Sequence, residues 1–305
     1  MRRRTLLAWS ALTGLAAKAG AATPELRVVT ALDPAAQRAI VQALKGRFAA
    51  LTVLSTEADL AGPEARRAGI TTVALGPAAL RRALAADLKG PLIALFTSSQ
   101  LYRRISSEAA RPPASGGMTA IHAEASPQAQ LQLIAALFER RVAVGVLLSR
   151  ESMYFERPLR QAAAAAGLEL LIEQADPNAD AVRSLNRLAG SQVLLAVPDA
   201  TLYTADTLRS VLESTYRRGL PVVGFSPATV AAGTLASAYS AVDDIVADVA
   251  ELIEGLGASG TAPLPEARFP RYWRVTINDK VARSLGVAIT DKVLGLGAPP
   301  PGKPT

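Results

Sequence analysis

VLLAVPDATLYTADTLRSVLESTYRRGLPVVGFSPATVAAGTLASAYSAVDDIVADVAELIEGL, residues 193–256, alternates apolar runs with amphipathic segments. Val193–Pro198, Pro221–Ser226 and Leu235–Ser240 read as strands. Each is a continuous apolar run rather than an alternating one, as expected of strands covered by helices on both faces. Leu208, Val211, Leu212 and Thr215 recur at helical spacing, and Gly219 sits where that helix should stop. Val242, Ile245, Val246, Val249, Leu252, Ile253 and Leu256 hold one stripe over about four turns. Strand and helix in alternation mean a parallel sheet with right-handed crossovers.

The same grammar extends toward the N-terminus. Leu26–Leu32, Leu51–Ser55, Thr71–Gly76, Pro91–Ser98, Thr119–Ala123, Val142–Ser149 and Leu168–Ala175 are further strand candidates. Leu131, Ile134, Ala135 and Phe138 mark another helix, and Ser126-Pro127 and Asp176-Pro177 are helix starts. Roughly ten strands exceed one comfortable open sheet for this length, so two lobes of about five strands each are expected. The seam is expected near Arg140-Arg141, where a helix ends and a strand begins. Glu108–Gly117, rich in Pro, Ser, Gly and Ala, reads as a surface loop, and the Gly/Pro-rich tail after Leu294 as disordered.

The chain opens MRRRTLLAWSALTGLAAKAGAA and has no cysteine. Arg2, Arg3 and Arg4 form a positive start, Leu6–Ala17 is too short to span a bilayer comfortably, and small residues follow. Residues 1–22 therefore read as a signal peptide, cut after Ala19-Gly20-Ala21 or after Ala22. A lipid anchor would need a cysteine at the cut. The expected product is soluble and periplasmic. Removing the leader takes Arg2, Arg3, Arg4 and Lys18 from the 33 basic residues and nothing from the 26 acidic ones, so the formal +7 falls to about +3. The pairs Arg66-Arg67, Arg81-Arg82, Arg103-Arg104, Arg140-Arg141 and Arg217-Arg218 are scattered near helix ends and make no nucleic-acid footprint. The lack of cysteine excludes disulfides, thiol catalysis and thiolate metal sites.

Catalytic machinery is sparse. His122 is the one histidine, so a histidine metal cluster is impossible and a Ser-His-Asp triad has a single candidate base. In TAIHAE it reads as a partly buried histidine at a strand end. No P-loop and no G-x-S-x-G occur. Asp243-Asp244 reads as the first turn of a helix, where negative charge is favourable. What remains is a set of polar residues at strand C-termini, where open parallel sheets bind ligands. Asp33 follows the first strand, Gly76 the third, and Thr97, Ser98 and Ser99 the fourth. Ser149, then Asp199 and Thr201, then Ser226, then Tyr239 follow strands of the second lobe. Each taken alone is also a turn or helix cap; their joint placement makes them the candidate ligand-binding set. Arg150 could add charge, and Tyr154 or Tyr239 an apolar wall. No metal and no cofactor are expected.

Five segments carry a family resemblance: AIHAEASPQAQLQLIAAL (120–137), RRVAVGVLLS (140–149), LLAVPDATLYTADTLRSVLEST (194–215), LPVVGFSPATVAAGTLASAYSAVDDI (220–245) and RVTINDKVARSLGVAI (274–289). They resemble the ABC-transporter substrate-binding proteins of the tryptophan-binding type. The resemblance runs from about Leu26 to Ile289 and is most specific in PVVGFSPATVAAGTLASAYS and VTINDKVARSLG. It implies a type I periplasmic-binding fold, an α/β architecture of two Rossmann-like lobes with parallel sheets closing over a ligand in a hinge cleft. It implies three crossings between lobes, near Arg140, near Ala238–Ser240 and near Pro263. The N-terminal lobe is then 23–139 plus 240–262, the C-terminal lobe 140–239 plus 263–290, and 291–305 a disordered tail. The chain departs from the family where ALDP (Ala31–Pro34) stands in place of a longer motif with a histidine before Pro-Ala-Leu-Asp, and at Ser226, where amino-acid binders often place a carboxylate. Asp33, Asp199 and Glu151 are the acids that could meet an ammonium group.

The implied function is delivery of a small polar ligand, an amino acid or small carboxylate among the options, to an ABC permease in the inner membrane. The protein would be a monomer, no enzyme, with no nucleic-acid partner. Two alternatives use the same residues differently: a periplasmic ligand sensor or accessory subunit of an envelope receptor complex, and a secreted enzyme pairing a hydroxyl nucleophile with His122.

Overall fold

The computed structural model describes residues 25–109, 117–175, 181–256 and 263–301. The leader expected at 1–22 lies outside them, as do Ala110–Gly116 of the expected surface loop and the Asp176-Pro177 helix start. In chain order the first half runs β1 (Leu26–Thr30), α1 (Pro34–Lys45), β2 (Leu51–Leu54), α2 (Glu57–Ala61), α3 (Pro63–Arg66), β3 (Thr71–Leu75), α4 (Pro77–Ala85), β4 (Leu92–Leu95), α5 (Ser99–Glu108), β5 (Met118–Ile121) and α6 (Pro127–Phe138). The second half runs β6 (Ala143–Leu148), α7 (Glu156–Ala165), β7 (Glu169–Gln174), α8 (Ala181–Leu185), β8 (Val193–Leu195), α9 (Ala205–Arg217), β9 (Val222–Val223), α10 (Pro227–Ala232), β10 (Ala236–Tyr239), α11 (Val242–Gly255), β11 (Arg274–Ile277), α12 (Asp279–Ser284) and α13 (Asp291–Leu294).

Ten expected strands are present, and they divide into two sheets. One has the order β2-β1-β3-β4-β5, the other β11-β10-β9-β8-β6-β7. Every pairing is parallel except β10 with β11. The antiparallel edge strand makes the second sheet six-stranded rather than five. β1, β3 and β4 are buried along their whole length, as doubly covered strands must be. No helix among the described residues is long and apolar enough to cross a membrane.

The lobe boundaries differ from the expected ones. α6 does not close the first lobe. Its Leu131, Leu133, Ile134 and Leu137 pack into one core with Val144, Val146, Leu195 and Ala238 of the second sheet. Gln130 fixes this by bonding the Ala238 backbone twice, Nε2 to the carbonyl at 2.9 Å and Oε1 from the amide at 3.0 Å. The first crossing is therefore at 122–126, and the break at Arg140-Arg141 is a helix-to-strand turn inside the second lobe. α11 covers the first sheet, with Ile245, Val249 and Ile253 against Val28, Val73 and Ile93. The third crossing lies beyond Pro263. Arg268 still pairs with Ile121, donating its amide to Ala120 and accepting from the His122 amide, both at 2.9 Å. Chain 269–273 then passes to β11.

Residues 291–301 are also no tail. Val293 of α13 is fully buried, and Trp273 and Ala298 exchange backbone hydrogen bonds of 3.0 and 2.9 Å. Composition alone suggests disorder, but two apolar residues, Val293 and Leu296, and two backbone bonds anchor this Gly/Pro-rich stretch to the second lobe.

Candidate functional site

The loops at the C-terminal ends of β4, β6 and β8 meet across the seam between the lobes. On the first lobe, Phe96 turns the chain out of β4 with φ 54°. A left-handed non-glycine residue stores of order 1 kcal/mol of strain, which tends to gather at functional loops. Thr97 is buried, and its carbonyl accepts the Ala123 amide at 3.0 Å. Ser98 caps α5, accepting the Leu101 amide at 3.3 Å. Ser99 and Gln100, at the start of that helix, are buried and face the other lobe.

Ser99 joins three parts of the molecule. Its amide donates to both carboxyl oxygens of Glu124, at 2.9 and 3.2 Å, and its hydroxyl makes a short contact to the same Oε1. The hydroxyl also lies 2.7 Å from the Tyr154 OH on the second lobe. Gln100 Oε1 accepts the Ala200 amide at 2.9 Å, a second bond between lobes. Arg103, one turn on, lies over the Tyr154 ring at 4.6 Å. Glu124 sits in the first crossing, 3 % exposed, and bridges to Tyr239 in the second. Burial pushes its carboxyl above the usual carboxylate range, against the pull of the Ser99 donors.

The second lobe contributes Ser149, Asp199 and Thr201. The Asp199 carboxylate is buried and accepts from the Thr201 amide at 2.9 Å, the Thr201 hydroxyl at 2.6 Å, the Leu202 amide at 3.2 Å and the Ser149 amide at 3.4 Å. Burial alone would raise its pKa; the bonds from Ser149, Ser152 and Thr201 outweigh it and hold the group below the usual carboxylate range. Tyr154 and Tyr203 are pushed up by burial, Asp199 adding to the rise in both. Beside Glu124, a recess lined by Gln130, Phe155, Pro198 and Phe225 has a volume of about 10 Å³, room for roughly one water.

The other expected residues are occupied locally. Asp33 caps α1, accepting from the Ala35 and Ala36 amides at 3.0 and 3.1 Å. Gly76 precedes α4 with φ 86°, a backbone conformation that favours glycine. Ser226 caps α10 in a reciprocal pair with Thr229. The structure thus brings Ser99, Ser149, Asp199 and Thr201 to one seam, and adds Glu124, Tyr154 and Gln100. Sequence reading had Tyr154 as an apolar wall; its hydroxyl is what crosses. Glu124 left one signal, an acid inside an otherwise apolar strand-to-helix junction.

His122 takes no part in a triad geometry. Its ring packs between Tyr102 and Phe269, centroids 5.6 and 5.3 Å away, and Nδ1 is buried without a hydrogen-bond partner. Burial, and then the nearby Arg103 charge, lower its pKa to about 4. Among the described residues no cluster of His, Cys, Asp or Glu could hold a metal ion.

No family profile and no curated protein match this sequence. Solved structures do. A domain in complex with L-Trp from Streptococcus pneumonia is 18% identical, with 89% of this chain and 97% of that one covered and a TM-score of 0.56. The ligand-free, open form of a substrate-binding protein with adhesive properties from Clostridium difficile is 14% identical, with coverage of 88% and 96% and a TM-score of 0.61. A conserved domain protein from Vibrio cholerae matches at 18% identity and a TM-score of 0.55, with coverage of 89% and 97%. The chain has the type I periplasmic-binding fold. The seam bridged by Ser99–Tyr154 and Gln100–Ala200 lies between the two lobes of this fold, beside the three chain crossings that join them.

Proposed function

We propose that the protein is an extracytoplasmic solute-binding protein that captures a small polar ligand by closing its two lobes and delivers it to an ABC importer. The observation that carries this reading is the seam itself. Loops at strand C-termini from both sheets converge there and form hydrogen bonds between lobes. Ligand contacts made to both sides would favour the closed state over the open one. The similarity to a substrate-binding protein and to a domain holding L-Trp supports the assignment.

In this reading Ser98, Asp199, Thr201 and Ser226 supply hydrogen bonds, Ser99 contributes through the Glu124 carboxyl group that it holds, and Asp33, Gly76, Thr97, Ser149 and Tyr239 line the cleft. The protein works as a monomer in the periplasm after loss of residues 1–22, and binds without turnover. The lobes divide at the hinge, near 122–126, 240–241 and 269–273.

The test is a thermal-shift screen of the chain from Thr23 onward against amino acids, small carboxylates, nucleosides and sugars. A ligand selective for the native state raises the melting temperature by mass action. One saturable hit, recovered chemically unchanged, is the expected result. Replacing Ser98, Asp199 and Ser226 together should then abolish the shift; unchanged affinity would remove these residues from the site.

A further inference from the structure

The N-terminus of α5 opens on the seam between the lobes, and the chain fills it with a carboxyl group of its own. Helix N-termini present free amides and a positive dipole end, which favour a carboxylate or phosphate. Here the Ser99 amide is spent on Glu124, at 2.9 and 3.2 Å to its two oxygens. The Ser99 hydroxyl bonds the same carboxyl group and the Tyr154 OH at once. The same first turn holds Gln100 Nε2, buried and without a hydrogen-bond partner. Arg103 is engaged on the Tyr154 ring.

We infer that Glu124 is a built-in carboxyl group that occupies the cleft's anion seat, ties the first lobe to Tyr154 of the second through Ser99, and thereby restricts the cleft to neutral or cationic solutes. Glu124 is a positioning residue here: it acts on the second lobe through Ser99. The restriction on solutes rests on the ligand-binding reading above; the seat and the tie do not. A solute carboxylate arriving at α5 would find the Ser99 donors taken and a buried carboxyl group beside the one donor left, Gln100 Nε2. A neutral or amine-bearing solute would meet acceptors on Glu124 and Asp199 and one free donor on Gln100.

The test is chemical rescue. Glu124→Ala removes the carboxyl group and leaves the Ser99 amide. Formate is the probe, titrated against sodium chloride as a control. In Glu124→Ala, formate is expected to raise the melting temperature saturably by about 3 °C or more, and to leave the wild type at its chloride value. The chain has no cysteine, so Arg81→Cys with Arg209→Cys gives a clean spin-label pair across the lobes. That distance distribution should broaden in Glu124→Ala and narrow again with formate. Adding Tyr154→Phe should abolish the narrowing and keep the thermal response, because the tie is lost and the seat is not.

A folded Glu124→Ala that ignores formate overturns the seat. If that variant does not fold, Ser99→Ala and Tyr154→Phe alone decide the tie: both should broaden the distribution, and an unchanged distribution in both overturns it. A simple monocarboxylate that stabilises the wild type as strongly as the neutral and amine members of the solute panel overturns the restriction. The formate arm needs no natural ligand, so its failure leaves the ligand-binding reading standing.

Discussion

The carboxylates of α11 and the single carboxyl group of Glu124 both lie beside the crossings between the lobes, and they are treated in opposite ways. Along α11, Asp244, Asp248 and Glu251 share one face, four and three residues apart, opposite residues 268–274. Asp244 is fully buried and held by Arg274 through bonds of 2.8 and 2.9 Å, and it also caps its own helix by accepting the Ala241 amide. Asp248, equally buried, takes two bonds from the Arg268 guanidinium, at 2.8 and 2.5 Å, and the Arg271 amide at 2.9 Å. Glu251 meets Arg271 and the Tyr272 hydroxyl. In the first crossing, Glu124 has only neutral donors, those of Ser99 and its own backbone amide. A bidentate guanidinium compensates a buried charge and fixes geometry. A hydroxyl and an amide compensate it less and leave it responsive to what else enters. The α11 face is a fastening, and the Glu124 position is adjustable.

Breaking the fastening should have the largest effect. Asp248→Ala strands Arg268 and frees the Arg271 amide, and is expected to cost about 3 kcal/mol in urea unfolding. A loss well below that would erase the distinction drawn here. His122 supplies the next largest effect. Its unfolded pKa is 6.5 and its folded value about 4, so between them the unfolded chain holds the extra proton. The stabilisation is complete above pH 6.5 and is lost as pH falls toward 4, about 3 kcal/mol at most. His122→Leu should flatten the stability curve over that window, and an unaltered slope would mean other groups set it.

Ser226→Ala should lower stability by about 1 kcal/mol through the lost cap of α10. If Ser226 also touches ligand, affinity falls further than this, which separates capping from binding at that position. Glu124→Gln should have the smallest effect on stability, within about 1 kcal/mol of wild type, because no cation is left unpaired. Burial raises the Glu124 pKa, so the native charge is a liability above that pKa; the variant's relative stability should be highest at alkaline pH and converge on wild type as pH falls toward 4.5. A Glu124→Gln loss as large as that of Asp248→Ala would show that the seam is as rigidly fastened as the α11 face.

Much of the molecule was legible in the chain. Apolar runs such as Thr71–Leu75 and Leu92–Leu95 fill both sheet faces, and their periodicity names them as strands without any neighbour. The strand-end rule names Ser99, Ser149, Asp199 and Thr201, which the fold places at one seam, because in a parallel sheet those positions share one edge. Capping chemistry was equally local, yet it cannot separate Ser98 or Ser226 as a cap from either as a ligand contact. Glu124 was missed because its partner, Ser99, lies 25 residues away, and Gln100, named at the end of the fourth strand, was given no interlobe role because its partner, Ala200, lies 100 residues away.

The sequence by itself determined ten of the eleven strands, the amphipathic helices over 131–138, 208–215 and 242–256, the parallel pairing and the polarity of the strand ends. All of these follow from periodicity and short-range chemistry. Only the tertiary structure decided that α6 belongs to the second lobe, that 291–301 is anchored, and that Glu124 rather than a solute sits at α5. A helix with two apolar options is assigned by which sheet buries it, and a buried acid acquires its role from whatever donors the fold brings within about 3 Å.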